Sequence, residues 1–415
     1  MHRLLGLEYV YWGMPLVLYP FMSGLVAGSF IVSTLSKVFG LKLFEPLAKL
    51  GVALTLVFLF VAALCPLAEA TTRSRWWELL TRDHIPYSPL SLFIVIWLAY
   101  VALVLYELYL IFRQDNIRLA QYGRGWRRSW HRLLTLGSSD TSAASIRRDH
   151  TVLVVLSGLG ILLAFLFHGY VGFVFGALKA RPLWSNPLMM PMFIMSAIVS
   201  GVALMVLAYE IIEGGVVGRK IDRDILDGLM KLLMALIFVD LFLDIVDLLN
   251  SGVSAYTSEP VYWGFSHIFF SGGPLAFSYW GLQLGFLVLA LLMTFVRGMR
   301  RSVFWSGLTG LLVMVSVFAM RFNTVIGGEL EPKVSQGLVA YRFPMFGLDS
   351  LQVAIGLLAI ALALICLVLL LLPWEPSWVD AWTGGQGKVD AHGEKTVPTP
   401  PPETGSGRLS ANARI

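Results

Sequence analysis

Asp240, Asp244 and Asp247 follow one another at i, i+4 and i+7 within an otherwise apolar stretch. In a helix that spacing puts all three carboxylates on one face. Glu107 and Glu210 lie toward the ends of two further apolar stretches, and Arg321 lies in another. Ionisable groups at membrane depth are costly and normally face a bundle interior or a water-filled cavity. A row of carboxylates at several depths can pass protons through shared hydrogen bonds and water. The same row can also serve interhelical hydrogen bonding alone.

Two polar, aromatic segments lie between apolar runs: Arg73 to Ser88, holding Arg75, Trp76, Trp77, Asp83 and His84, and His168 to Pro187, ending in Arg181-Pro-Leu-Trp184 and Ser-Asn-Pro. A quinone needs an apolar slot for its tail, aromatic or aliphatic walls for its ring, and a donor such as His or Arg at each carbonyl that protonates on reduction. These segments contain all three. His84 and Arg75 can equally be interfacial anchors.

Other chemistries are poorly provided for. Of seven histidines, only His168 falls at membrane depth, whereas a b-type haem needs facing pairs inside the bundle; no haem is expected. Cys65 and Cys366 are too few for an iron–sulfur cluster of the chain's own and read as buried, unreactive thiols. No His-Glu-x-x-His motif and no Gly-rich phosphate loop occurs, so hydrolase and ATPase readings have no support.

The elements that must position these groups follow from composition. The 415 residues are 57% hydrophobic and 14% charged, with mean hydropathy +0.74, which excludes a water-soluble fold. Apolar runs of spanning length are expected near 12–35, 47–67, 90–112, 150–172, 189–212, 228–249, 275–296, 303–325 and 350–373: an all-α polytopic membrane protein of about nine transmembrane helices. The first run is too long for a signal-peptide core and reads as a retained span. The net charge of +5 comes from Lys and Arg in the connecting loops, a consequence of membrane topology, and no nucleic acid is expected. These basic residues concentrate on one side, notably in the Arg113–Arg148 loop, which puts the N-terminus outside and the C-terminus in the cytoplasm of a bacterial inner membrane. Within that loop the Arg- and Trp-rich stretch from Arg124 to Arg132 reads as a helix on anionic headgroups of the bilayer.

The first run contains Met22-Ser-Gly-Leu-Val-Ala-Gly28 and the fifth Met195-Ser-Ala-Ile-Val-Ser-Gly201, matched in size position by position. Both runs cross in the same direction, which predicts two parallel four-helix bundles plus one helix. The expected domains are a first bundle at 1–175 with the basic loop 113–149, a second at 176–345, an additional helix at 346–378, and a disordered tail at 379–415 that is rich in Pro and Gly. A proton-coupled secondary transporter would use similar buried carboxylates, but such proteins commonly show inverted repeats. A passive membrane anchor needs no polar groups at several depths.

The block from His168 through Ala180-Arg-Pro-Leu-Trp184 to Met195-Ser-Ala-Ile-Val-Ser-Gly201, with Arg75-Trp-Trp-Glu-Leu79, His84, Arg321-Phe-Asn323 and Tyr341-Arg-Phe-Pro344, resembles the membrane subunits of the polysulfide reductase, or NrfD-like, family. The resemblance implies two four-helix bundles without haem and a site for menaquinone or ubiquinone at the outer face of the first. It also implies a ferredoxin-like iron–sulfur partner docked there, and a molybdopterin, multihaem or hydrogenase subunit that selects the substrate. By this carry-over His84 and His168 contact or protonate the quinone and Arg75 and Asp83 support them. Glu107, Glu210, Asp240, Asp244, Asp247 and Arg321 then belong to proton routes. The chain by itself is expected to catalyse nothing; its place is as a quinone-reactive subunit of an oxidoreductase complex.

Overall fold

The structure is a computed structural model and describes residues 10, 12–81, 85, 87–253, 257–270, 272–333 and 337–373. Asp83, His84 and the C-terminal tail therefore lie outside the described residues. Among those described, nine helices are long enough to cross a bilayer: α1 (Met14–Val38), α2 (Ala48–Glu69), α3 (Pro89–Tyr122), α4 (Ala143–Gly176), α5 (Met189–Val216), α6 (Arg223–Gly252), α7 (Ser278–Phe295), α8 (Val303–Leu330) and α9 (Leu351–Leu371). Eight are also apolar enough by composition. The exception is α6, 30 residues long, which carries the three aspartates.

Local chemistry sets the helix ends. Pro15 sits in the first turn of α1, where its missing N–H costs nothing. The Glu69 carboxylate, at the end of α2, accepts from the Gly13 and Leu16 N–H groups at 2.7 and 3.1 Å. It thereby satisfies donors that the α1 N-terminus leaves open. The Asp222 side chain caps α6 by accepting from the Asp224 N–H at 2.8 Å. The turn between α7 and α8 is tied to the same end of α6, through Arg300–Asp227 at 2.8 Å and Arg301–Asp224 at 2.7 Å.

The two repeated segments meet each other. Gly28 of α1 lies backbone to backbone against Ala197 and Gly201 of α5, and Gly24 lies against Ala197. Gly24-x-x-x-Gly28 thus faces Ala197-x-x-x-Gly201, the small-residue pattern that lets helices approach closely where no hydrophobic effect drives them together. On its other side α1 packs on α2, with Gly51 against Ser33 and a Ser29–Thr55 hydroxyl pair at 3.0 Å.

Contacts divide the chain into two compact units, one of residues 1–108 and 152–372 and one of 109–151 and 373–415. The second unit includes the last turns of α3, a short helix Trp126–Leu134 and the first turns of α4. Here α3 runs to Tyr122 and α4 starts at Ala143, beyond the apolar limits at 112 and 150 that the sequence suggests. Polar contacts stabilise these extensions: Arg113 Nε donates to Asp149 at 2.7 Å, and Arg113 also binds Ser138 at 2.8 Å and Ser145. His131, 1% exposed, donates from Nδ1 to Asn116 Oδ1 at 2.9 Å. Burial and the nearby Arg127 guanidinium push His131 down to about 4. Between pH 6.5 and 4 the unfolded unit binds a proton there that the folded one does not, so acidification destabilises it. Amide exchange in Trp126–Leu134 is expected to accelerate as pH falls through this window, after correction for intrinsic rates, and H131N is expected to flatten the dependence.

One sequence expectation needs correction. Cys65 is buried, but Cys366 is exposed on α9, on a face rich in exposed leucine and isoleucine. An apolar run does not reveal which of its residues face lipid and which face protein.

Candidate functional site

A buried polar cluster joins four helices. Arg321 of α8 is fully buried and its Nη2 donates to His168 Nε2 at 3.1 Å, to Ser196 Oγ at 2.6 Å and to the Phe193 carbonyl at 3.3 Å. The guanidinium lies 3.9 Å from the centroid of the Phe193 ring, a cation–π contact in a dry setting. Its Nε has no partner among the described residues. His168 of α4 is also fully buried, and its Nδ1 is 3.1 Å from Ser23 Oγ of α1.

The tautomer follows from these contacts. A guanidinium can only donate, so His168 Nε2 must be the acceptor. In a neutral imidazole the proton then sits on Nδ1 and is donated to Ser23 Oγ, whose own hydroxyl is 3.2 Å from the Pro20 carbonyl. A second proton on Nε2 cannot coexist with the Arg321 hydrogen bond. The pairing with Arg321 therefore requires His168 Nε2 to be unprotonated.

Ser23 and Ser196 are equivalent positions of the two matched segments, and His168 and Arg321 lie on α4 and α8. The two matched segments thus each supply a serine to one member of the central pair. The sequence displays both serines, but size matching draws attention to the glycines, and the serine roles show only once α4 and α8 are placed.

Behind Arg321 lie the α6 aspartates. Asp247 accepts from Asn186 Nδ2 at 2.5 Å, and Asp244 is 3.4 Å from Gln283 Nε2, while Gln283 Oε1 accepts from Asn323 Nδ2 at 2.9 Å. A cavity of about 40 Å³ is bordered by Asp247, Ser251, Gln283 and Asn323, and Asn323 Oδ1 has no hydrogen-bond partner among the described residues. That volume and polarity suit a few waters. Asp240 and Asp244 both feel the Arg321 charge. Glu107 and Glu210 are elsewhere, near the end of the bundle where α1 and α5 finish. Glu107 pairs with Lys37 at 3.1 Å and accepts from Ser157 at 2.8 Å; Glu210 accepts from Ser306 at 2.5 Å. The structure joins the aspartates, Arg321 and His168 into one neighbourhood and leaves the two glutamates apart from it.

Arg75 is exposed and paired with Glu78, Nε to Oε1 at 2.6 Å, beside the exposed Trp76 and Trp77. It does not meet His168. Sequence reasoning missed an aromatic wall on α1, α3 and α4: Phe93 stacks on Phe167 at 5.3 Å and on Tyr170 at 6.2 Å and meets Tyr19 edge-on at 5.9 Å. These rings are widely scattered along the chain and converge only in the fold.

The Arg181-Pro-Leu-Trp184 block has a positioning role. Arg181 Nη1 donates to the carbonyls of Glu329 and Glu331 at 3.2 and 2.7 Å, closing the end of α8. Trp184 stacks on Trp12 at 4.9 Å, donates to the Thr324 carbonyl at 2.6 Å and packs on Gly328. It thus fixes the turn of α8 after Arg321 and Asn323. W184A is expected to cost about 3–5 kcal/mol, read as a lowered melting temperature of the detergent-solubilised protein, whereas W184F, which keeps the stacking, should lose less.

Comparison with known proteins gives a consistent picture. The family profile described as "Polysulphide reductase, NrfD" matches residues 6–332. The chain is 31% identical over 332 residues to a selenate reductase subunit of Mesobacillus selenatarsenatis, covering 78% of this chain and 75% of that protein. It is 30% identical over 318 residues to a putative dimethyl sulfoxide reductase membrane subunit of Halobacterium salinarum, covering 76% and 67%. An Hdr-like menaquinol oxidoreductase integral membrane subunit of Archaeoglobus fulgidus is 23% identical over 326 residues, covering 78% and 72%. The matched profile ends before α9.

Proposed function

The chain belongs to the polysulphide reductase NrfD family of integral membrane subunits of reductases and oxidoreductases, and from that premise we propose that it handles the quinone of a respiratory complex. The observation that carries this reading is the buried Ser23–His168–Arg321–Ser196 cluster. It sets a buried histidine against a buried arginine at membrane depth, next to an aromatic wall.

In this reading the quinone, menaquinone or ubiquinone, is the substrate. Its ring enters between α1, α3 and α4 at the outer end, against Tyr19, Phe93 and Tyr170, and His84 and Asp83 are assigned to serve its carbonyls. Both His168 nitrogens are engaged, so His168 exchanges protons with the bound ring through Ser23. A proton delivered to His168 releases Arg321, and the freed guanidinium is then drawn toward Asp240 and Asp244. Quinone chemistry in the first four helices is thereby linked to carboxylates in the next four. The two bundles are α1–α4 and α5–α8, joined at Gly28 and Gly201, with α9 added.

Electrons cross to an iron–sulfur subunit at the outer face. The exposed Arg73, Arg75, Trp76 and Trp77 offer the aromatic and Arg-rich surface typical of interface cores. A catalytic or multihaem subunit completes the complex, in a bacterial cytoplasmic membrane with the N-terminus outside. Purification with its co-purifying subunits tests the proposal: bound quinone and iron–sulfur absorbance in the same preparation are expected. A chain isolated with neither, and transporting a solute, would overturn it.

A further inference from the structure

A second lipid-facing feature lies away from the aromatic wall, in the α5–α8 half. Between α6 and α7 runs an open groove of about 430 Å³. Leu241, Ile245 and Leu248 form one wall and Leu284 and Val288 the other, and the Asp244 side chain and Trp280 also border it. The volume is within the range of small-molecule sites, and an apolar lining with one convergent polar group is their usual composition.

Three observations point to a ligand with a hydrogen-bonding head on an apolar body. First, the N-terminal part of α7, Ser278–Gly285, is wound as a π-helix, a rare distortion that is frequent at functional sites. The distortion is anchored from behind: Ser316 Oγ donates to the Gln283 carbonyl at 2.6 Å, and Asn323 holds the Gln283 side chain. Second, Asp244 is only 6% exposed, yet its one hydrogen bond among the described residues is the 3.4 Å contact with Gln283. A carboxyl group at membrane depth with so little satisfaction has capacity for another donor. Third, the neighbouring outward residues Phe238, Phe242, Ile245 and Leu249 are all large, apolar and exposed. Asp244 therefore sits inside the hydrocarbon band, about 12 Å from the end of α6.

That depth and the carboxyl group discriminate among membrane components. A phosphate headgroup would have to leave the interface and meet a carboxylate. An uncharged head bearing hydroxyls, on a long apolar tail, suffers neither penalty. We propose that the groove is a second binding site for the reduced quinone, with a quinol hydroxyl donating to Asp244 and the isoprenoid tail lying along Leu241, Ile245 and Val288. The proposal rests on the quinone reading above. It gives the α6 aspartates a direct ligand in the half that lacks the aromatic wall.

Binding of menaquinol-4, kept reduced by dithionite, is measured on the full chain in lipid nanodiscs by native mass spectrometry. Wild type is expected to bind two molecules. V288W, which fills the groove from its exposed edge, is expected to bind one, with an unchanged melting temperature. D244N keeps the shape and is expected to weaken the second site about tenfold, while D244L is expected to remove it. An azido-menaquinone is expected to label α6 and α7 in wild type and to lose that label in V288W. One molecule bound by both wild type and V288W overturns the second site and leaves the proposed function standing. No binding by either overturns both. Phospholipid retained in the groove and not displaced by menaquinol-4 also overturns the second site.

Discussion

Substituting Arg321 by Gln is expected to slow quinone-linked electron transfer by the assembled complex about 100-fold or more, while the protein still inserts and melts cooperatively. Arg321 is the largest fully buried side chain among the described residues, and it binds His168, Ser196 and the Phe193 carbonyl from a single nitrogen. Removing a charged hydrogen-bonding group from a buried network costs roughly 2–4 kcal/mol, and each 1.4 kcal/mol that acts on turnover is a factor of about ten. Glutamine can still donate to Ser196 or to His168, so packing survives, but it cannot repel a charged imidazole. The link between His168 protonation and the α6 aspartates is then lost. R321K retains the charge as a point donor without the planar fork and is expected to keep an intermediate rate. A purely structural role would instead lower the melting temperature of R321Q and leave the rate of the surviving protein unchanged.

Gly201→Leu is the second large effect, and it falls on assembly. A side-chain carbon at Gly201 meets the Gly28 backbone, and one at Gly28 meets the Ala197 carbonyl and Gly201. Backbone cannot rotate aside as a flexible side chain can, so α1 and α5 must separate. Overpacking usually costs about 1–3 kcal/mol, and here the displaced contact also holds Ser23 and Ser196 to the central pair. G201L is expected to give little folded protein by size-exclusion fluorescence. G24A, facing the more open gap between Ala197 and His168 Cε1, 3.4 Å away, is expected to be tolerated with a small loss of stability.

Much of this architecture was legible beforehand. Apolar runs marked the long helices because hydrocarbon thickness imposes a length, whereas the paired Met-Ser segments displayed the small residues that permit close approach without showing that α1 and α5 meet through them, which is visible only in the fold. Residue type pointed to His168 and Arg321 individually, since an ionisable group at depth is seldom idle. Their pairing was not legible. They are 153 positions apart, and nothing local in either helix encodes the partner. Arg75 looked equivalent to them by type, yet it lies exposed in a pair with Glu78. The extensions of α3 and α4 escaped notice for a different reason: they are polar and held by Arg113, so an apolarity threshold ends both helices too early.

The most direct test of the central account is the infrared difference spectrum between the quinone-reduced and quinone-oxidised complex, recorded with ¹⁵N-labelled histidine. The Ser23–His168–Arg321 arrangement predicts an isotope-sensitive imidazole band that changes on reduction and disappears in H168A. In R321Q the band is expected to persist at a shifted position, since the imidazole remains but its donor is gone. A reduction spectrum without histidine bands, or one identical in wild type and H168A, would contradict the account.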